Sequence, residues 1–229
     1  MTDILLIAGL WLDGSAWNDV VSELEALGHR PVALTLPGQG DGSPSATLDD
    51  QVAAVVGAVD ASTGGALVVG HSAAATLAWL AADARPDAVA KVAMIGGFPT
   101  ADGQPYADFF EPTGGAMAFP GWEPFEGPDS ADLDEAARRR FEAAAIPVPE
   151  GVTRGVVRYT GERRYDVPVA LVCPEFSPAQ AREWIAAGDM PELARAKHLD
   201  LVDIDSGHWP MLTRPVELAR LLAAAANVD

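Results

Sequence analysis

Short apolar runs of strand length alternate with stretches of helical periodicity along most of this chain, and that alternation admits few architectures. Residues 4–8 form a continuous apolar run closed by Gly9, the pattern of a strand covered on both faces. Residues 15–27 place Trp17, Val20, Val21, Leu24 and Leu27 at helical spacing, with Gly28 positioned to stop the helix. A second run at 31–36 closes in Pro37-Gly38-Gln39-Gly40, and 48–59 reads as a helix with Thr47 as its N-cap. A third run at 66–69 passes through Gly70-His71-Ser72-Ala73-Ala74 into an alanine-rich helix at 74–84, and 89–95 is a fourth strand. Further strands are expected at 167–173 and 199–204, and helices at 178–187 and 216–226. Strands joined through helices require crossover connections and hence a parallel sheet. The expected fold class is α/β, with a doubly wound, mainly parallel sheet of about six strands and helices on both faces.

The rhythm breaks once. Residues 99–150 carry eight prolines, five glycines, eleven acidic residues against three basic ones, and seven of the sixteen aromatics. This stretch reads as an insertion with short elements of its own, among them a helix over 131–145. The chain is thus expected to be one domain, in which core segments 1–98 and 166–229 flank an insertion over 99–165.

Composition narrows the function classes. A chain of 229 residues buries roughly 70–75% of its unfolded surface and needs no covalent staple. The 33 acidic and 15 basic residues give a net charge of −18, which argues against a nucleic-acid partner or an anionic membrane surface. The single cysteine, Cys173, excludes a disulfide framework and a thiolate-rich metal cage. His29, His71, His198 and His208 lack the i, i+4 spacing of a helical metal site, so no metal is expected. The glycines of 36–40 are followed by no Gly-Lys-Ser/Thr, so they are not a phosphate loop, and no cofactor is implied. The first residues lack the basic start of a signal peptide, and no apolar run approaches the roughly 20 residues of a membrane span. A cytoplasmic protein acting on a small molecule is expected, with a homodimer left open.

Ligands of open α/β sheets sit beyond the carboxyl ends of the strands. The third strand ends in Gly70-His71-Ser72-Ala73-Ala74, a serine flanked at ±2 by small residues between strand and helix. That is the pattern of a nucleophile elbow, G-x-S-x-G, with Ala74 in place of the second glycine. Such a turn projects the serine above the sheet and aims the Ala73 amide where negative charge is favoured. The plain alternative is a serine capping an alanine-rich helix. A second residue favours chemistry: His208, in Asp205-Ser206-Gly207-His208-Trp209-Pro210, follows the last strand and falls on the same sheet edge as Ser72. There it can accept the serine proton.

With Leu6-Ile7-Ala8-Gly9-Leu10-Trp11, Gly14-Ser15-Ala16-Trp17, Leu36-Pro37-Gly38-Gln39-Gly40, Gly70-His71-Ser72 and Gly207-His208-Trp209-Pro210 in that order, the chain resembles the α/β-hydrolase superfamily over nearly its whole length. It is most similar to the small branch of plant-type methyl esterases and hydroxynitrile lyases. The resemblance implies a Ser–acid–His triad and an oxyanion hole formed by the backbone amides of Leu10 and Ala73. Relatives carry His-Gly after the first strand. Here Ala8 replaces that histidine, while the Leu10 amide survives any side-chain change. One such donor lowers the barrier by about 2.7–4 kcal/mol. The acid is the open position. Relatives place it after the strand here read as 167–173, where the usual aspartate slot holds Ser177 and Glu175 is the carboxylate at hand. Asp203 and Asp205 on the histidine's own segment compete with it, as does a Ser–His dyad with no acid.

His71 and Cys173 are read as packing residues. The aromatics of the insertion and its borders suggest an apolar substrate pocket from Trp11, Phe98, Phe109, Phe110, Trp122 and Trp209. The acidic surplus of the insertion disfavours a polyanionic substrate. The expected activity is a serine hydrolase that cleaves a small to medium, mainly apolar carboxylic ester or lactone through an acyl-enzyme. The competing readings are a cofactor-free lyase, which Trp209 after the histidine and Gly9 in the oxyanion loop disfavour, and a binding protein with little turnover.

Overall fold

The computed structural model describes residues 2–41 and 43–227. Its strands are β1 (Asp3–Ile7), β2 (Arg30–Leu34), β3 (Ala66–His71), β4 (Val89–Ile95), the two-residue β5 (Ala116–Met117) and β6 (Val148–Pro149), β7 (Val169–Cys173) and β8 (Leu199–Asp203). Six of them form one sheet in the order β2-β1-β3-β4-β7-β8. Every pairing in it is parallel. The strand order reverses beside β1, and the carboxyl ends of β1, β3, β4, β7 and β8 open onto one edge.

Apolar runs rather than alternating ones are what this topology demands, because helices cover both faces. The helices are α1 (Asn18–Ala26), α2 (Leu48–Ala61), α3 (Ala75–Ala84), α4 (Glu135–Ala144), α5 (Glu150–Thr153), α6 (Pro178–Ala187), α7 (Pro210–Thr213) and α8 (Pro215–Ala226). Ile4 and Leu6 of β1, with Leu67 and Val69 of β3, pack on Trp17, Val20 and Leu24 from the α1 side and on Leu218 and Leu222 of α8. Leu5 and Ile7, with Val68, pack on the opposite face against Val55 and Val59 of α2 and Leu77 and Trp79 of α3. Side chains therefore alternate faces along the central strands β1 and β3 while both faces stay buried, and the edge strands β2 and β8 keep exposed positions.

Several expected elements differ in their bounds by a few residues, and two helices show why. The helix expected over 15–27 begins as a 3-10 turn, Gly14–Trp17, whose cap is Asp13 accepting from the Ser15 amide at 2.9 Å. The helix expected over 131–145 is shorter. Asp134 accepts from the Ala137 amide at 2.7 Å and starts α4 at Glu135, while Pro128–Ser130 forms a separate 3-10 turn. A short polar side chain that bonds the backbone ahead of it sets a helix start that periodicity alone cannot locate.

The segment between β4 and β7 is tied to α3 near its carboxyl end. Asp83, at the end of α3, accepts from the amides of Thr160 and Gly161, at 2.7 and 3.0 Å. The buried Arg164 guanidinium pairs with Asp83 and Glu192 at 3.2 and 3.0 Å. Removing one partner of such a buried group leaves an uncompensated charge, a loss of about 3–5 kcal/mol. Among the described residues no helix is long and apolar enough to cross a membrane, and no group of three metal-ligating side chains comes together.

Candidate active site

Ser72 follows β3 directly and has φ 55°, a left-handed conformation that costs a non-glycine residue roughly 1–2 kcal/mol. The strain follows from the sharpness of the turn. A Cβ added at Gly70 would overlap the Ala74 carbonyl, so the small residues on either side of Ser72 are a steric requirement. Ser72–Ala74 is a 3-10 turn that runs into α3, leaving the Ala73 amide at the open first turn of the helix.

Gly9 brings the loop after β1 against this turn. A Cβ there would lie 2.8 Å from His71 Nδ1 and 3.0 Å from Ser72 Cβ. Beyond it Trp11 has φ 64°. Leu10 lines the same cavity as Ser72, and Ala73 follows Ser72 at the start of the turn that leads into α3. Trp11 braces the loop from above: its indole Nε1 donates to the Met117 carbonyl at 3.2 Å, and its own carbonyl accepts from the Ile146 amide at 2.9 Å.

His208 lies in the loop after β8 and shares the cavity wall with Ser72. Its Nδ1 is 2.8 Å from Glu175 Oε1, and both side chains are mostly buried. With Nδ1–H donated to the carboxylate, the Nε2 lone pair is left for the cavity, which is the tautomer a general base needs. Asp203 and Asp205 are exposed, and neither is bonded to His208. Ser177, in the slot where relatives have aspartate, is instead the N-cap of α6, in a capping box with Gln180.

His71 does more than pack. It is 1% exposed, and its Nε2 is 2.8 Å from the carbonyl oxygen of His208. Burial first, and then the neighbouring His208, push its pKa down to about 3. Neutral His71 therefore donates Nε2–H to that carbonyl and holds the His208 loop to the residue beside Ser72. Cys173 is buried at the end of β7, and burial with the charges of Asp203 and Glu175 pushes its thiol up to about 12. It is not a nucleophile at neutral pH.

The loop of His208 is clamped a second time, from the segment between β4 and β7. The His208 amide donates to the Asp129 carbonyl at 2.7 Å, and the Gly207 amide donates to Asp132 Oδ2 at 2.9 Å. Trp209 stacks edge-on among Trp122, Phe125 and Phe141, with ring centroids 5.4 to 5.5 Å apart.

A cavity of about 250 Å³ opens over Ser72 and His208, walled by Leu10, Trp11, Phe109, Phe110, Pro124, Phe125, Asp129 and Trp209. Four of the six expected pocket residues are therefore in place. Phe98 and Trp122 are not. Phe98 packs against Phe176 and Trp184, at 5.5 and 6.1 Å, on the β7–α6 side. Trp122 lies behind the wall, against Phe119 and Phe141 with Arg138 over its ring. Both are aromatics of the right stretch of chain, but side-chain direction in a segment without long elements is set by tertiary packing. Phe125 and Asp129 were missed for the same reason. The signal for Asp129 was present only as an acid amid the aromatics.

The fold agrees with comparisons to known proteins. A solved structure of an extracellular alpha/beta-hydrolase from a Paenibacillus species, described as sharing homology with tobacco salicylic acid binding protein 2, superposes with TM-score 0.81 at 19% identity, covering 100% of both chains. A pyrethroid hydrolase from Sphingobium faniae gives TM-score 0.69 at 24% identity over 100% of this chain and 98% of that one. A methylesterase from Arabidopsis gives 0.76 at 13% identity over 98% of each. No curated protein matches the sequence. The family model described as alpha/beta hydrolase family matches residues 4–221. With that match spanning nearly the whole sequence, on a fold whose sheet edge carries Ser72, Glu175 and His208, the chain belongs to the alpha/beta hydrolase family.

Proposed function

We propose that this protein is a serine esterase that cleaves a small to medium, mainly apolar carboxylic ester or lactone through an acyl-enzyme, with Ser72 as nucleophile, His208 as base and Glu175 as the orienting acid. The observation that carries this reading is the 2.8 Å contact of His208 Nδ1 with Glu175 in the wall of the cavity that Ser72 shares. The fold neighbours include proteins described as a methylesterase and a pyrethroid hydrolase, which adds support. The segment 99–165 acts as the cap of one catalytic domain, whose core is 1–98 and 166–229.

In this reading Ser72 Oγ attacks the ester carbonyl carbon and its proton passes to His208 Nε2. The Leu10 and Ala73 amides hold the negative oxygen that results. The bond to the leaving oxygen then breaks, and that oxygen takes the proton from His208 as it departs as an alcohol. Water enters, gives a proton to His208 and attacks the acyl carbon; the bond to Ser72 Oγ then breaks, Oγ takes the proton back from His208, and the acid leaves. Glu175 stabilises the imidazolium and fixes its tautomer throughout. The cavity walls supply apolar surface for the acyl or alcohol group. Labelling with a fluorophosphonate, together with p-nitrophenyl ester hydrolysis in wild type and Ser72→Ala, tests the reading. It predicts a label on Ser72 and turnover that disappears in the variant. Absence of both label and turnover in the wild type would overturn it.

A further inference from the structure

Asp129 is the one acidic side chain in a cavity wall that is otherwise aromatic or aliphatic, apart from the reacting pair Ser72 and His208 and the buried His71. It is half-buried, and among the described residues its carboxylate accepts no hydrogen bond and has no cationic partner. No lysine or arginine lines the cavity. His208, whose charge acts on the Asp129 carboxyl, is already bonded to Glu175. Two carboxylates thus face one imidazole, and Asp129 is in excess. Its carboxyl is held above the usual range by burial first and then by the charge of Glu175, as an uncompensated anion in such surroundings should be.

A carboxylate without a counter-ion beside aromatic rings is the composition that recognises organic cations, because the ring faces are electron-rich and the apolar walls cover alkyl groups that water solvates poorly. Trp11, Phe109, Phe110, Phe125 and Trp209 supply rings around the same space. The net charge of −18 also raises the local concentration of cations around the protein.

We propose that the ester this cavity takes carries a cationic group, a quaternary ammonium or a protonated amine, with Asp129 as its counter-ion and the surrounding rings as its cage. The inference deepens the esterase reading for turnover but does not depend on it for binding. The cationic group sits against Asp129 beside the His208 segment while the scissile carbonyl reaches Ser72 in the same cavity. It neutralises the surplus carboxylate on entry, and a substrate bearing an anion in that place is repelled.

Two measurements test it. In the first, hydrolysis of acetylcholine is compared with that of its uncharged carbon isostere, 3,3-dimethylbutyl acetate, in wild type and Asp129→Asn. The ratio of kcat/KM for cation over isostere should be at least about tenfold in wild type and fall to about one in the variant. If Asp129 serves only to stabilise protonated His208, both esters lose rate together and the ratio stays fixed, which overturns the proposal. The second measurement titrates phenyltrimethylammonium into Ser72→Ala by calorimetry, with and without Asp129→Asn, and needs no turnover. Saturable binding that weakens at least about tenfold on loss of the charge sustains the proposal even if no ester is hydrolysed and the esterase reading fails. No binding, or binding indifferent to Asp129→Asn, overturns it even if Ser72 proves an active nucleophile.

Discussion

The carboxylate of Asp132 accepts the Gly207 amide at 2.9 Å, so a residue of the segment between β4 and β7 holds the backbone immediately before His208. The adjacent His208 amide bonds the Asp129 carbonyl. The base of the proposed triad is therefore positioned by the cap as well as by the sheet. Because a displacement of about 1 Å in a reacting group can cost a hundredfold in rate, Asp132→Ala should lower kcat by about ten- to a hundredfold with a smaller change in KM. Asp132→Asn keeps an acceptor for the Gly207 amide and should restore most of the loss. A purely structural role would show instead as a lowered Tm with kcat per folded molecule unchanged.

Ser72→Ala and His208→Ala should each remove nearly all ester turnover, by up to about a millionfold where the groups act as a unit. The double variant should be no worse than either single one. Hydrolysis that survives in Ser72→Ala would place the nucleophile elsewhere.

Glu175→Gln should lower kcat by at least about a hundredfold, because an amide can present its N–H to Nδ1 and favour the wrong tautomer, with the fold and KM nearly unchanged. Asp203→Asn and Asp205→Asn should be nearly silent, since both side chains are exposed and unbonded to His208. Steady-state kinetics on the three variants decides between these positions.

His71 should make stability fall with acid. Its folded pKa of about 3 lies below the ordinary imidazole value of 6.5, so between these values the unfolded chain binds a proton that the native one refuses. Stability from this group is fully present above about pH 6.5 and declines toward pH 3, by about 1.4 kcal/mol per pH unit where the two states differ by one proton. The midpoint of urea unfolding followed from pH 7 to pH 4 should drop in wild type and drop less steeply in His71→Gln. Equal slopes would mean that His71 does not carry the effect.

The sheet, its parallel sense and the elbow were legible in the order of residues, because each rests on local rules. Apolar runs on both sides of helices can only be buried strands, and the small residues flanking Ser72 are those its left-handed turn requires. Ser72 and His208 were legible because both follow strands that end on one edge. Glu175 was legible only as one of three carboxylates. All three are carboxylates near strand ends, and packing alone sets one of them on Nδ1 while leaving Asp203 and Asp205 exposed. The pocket was legible as a stretch of chain and not residue by residue. Between β4 and β7 the elements are too short to impose a period, so packing decided that Phe125 and Asp129 face Ser72 while Phe98 and Trp122 turn away. The bonds from His71 and Asp132 to the His208 loop join residues 137 and 75 positions apart. No local pattern encodes such pairs, because they exist only once the sheet and the segment over it have brought distant backbone within hydrogen-bond reach.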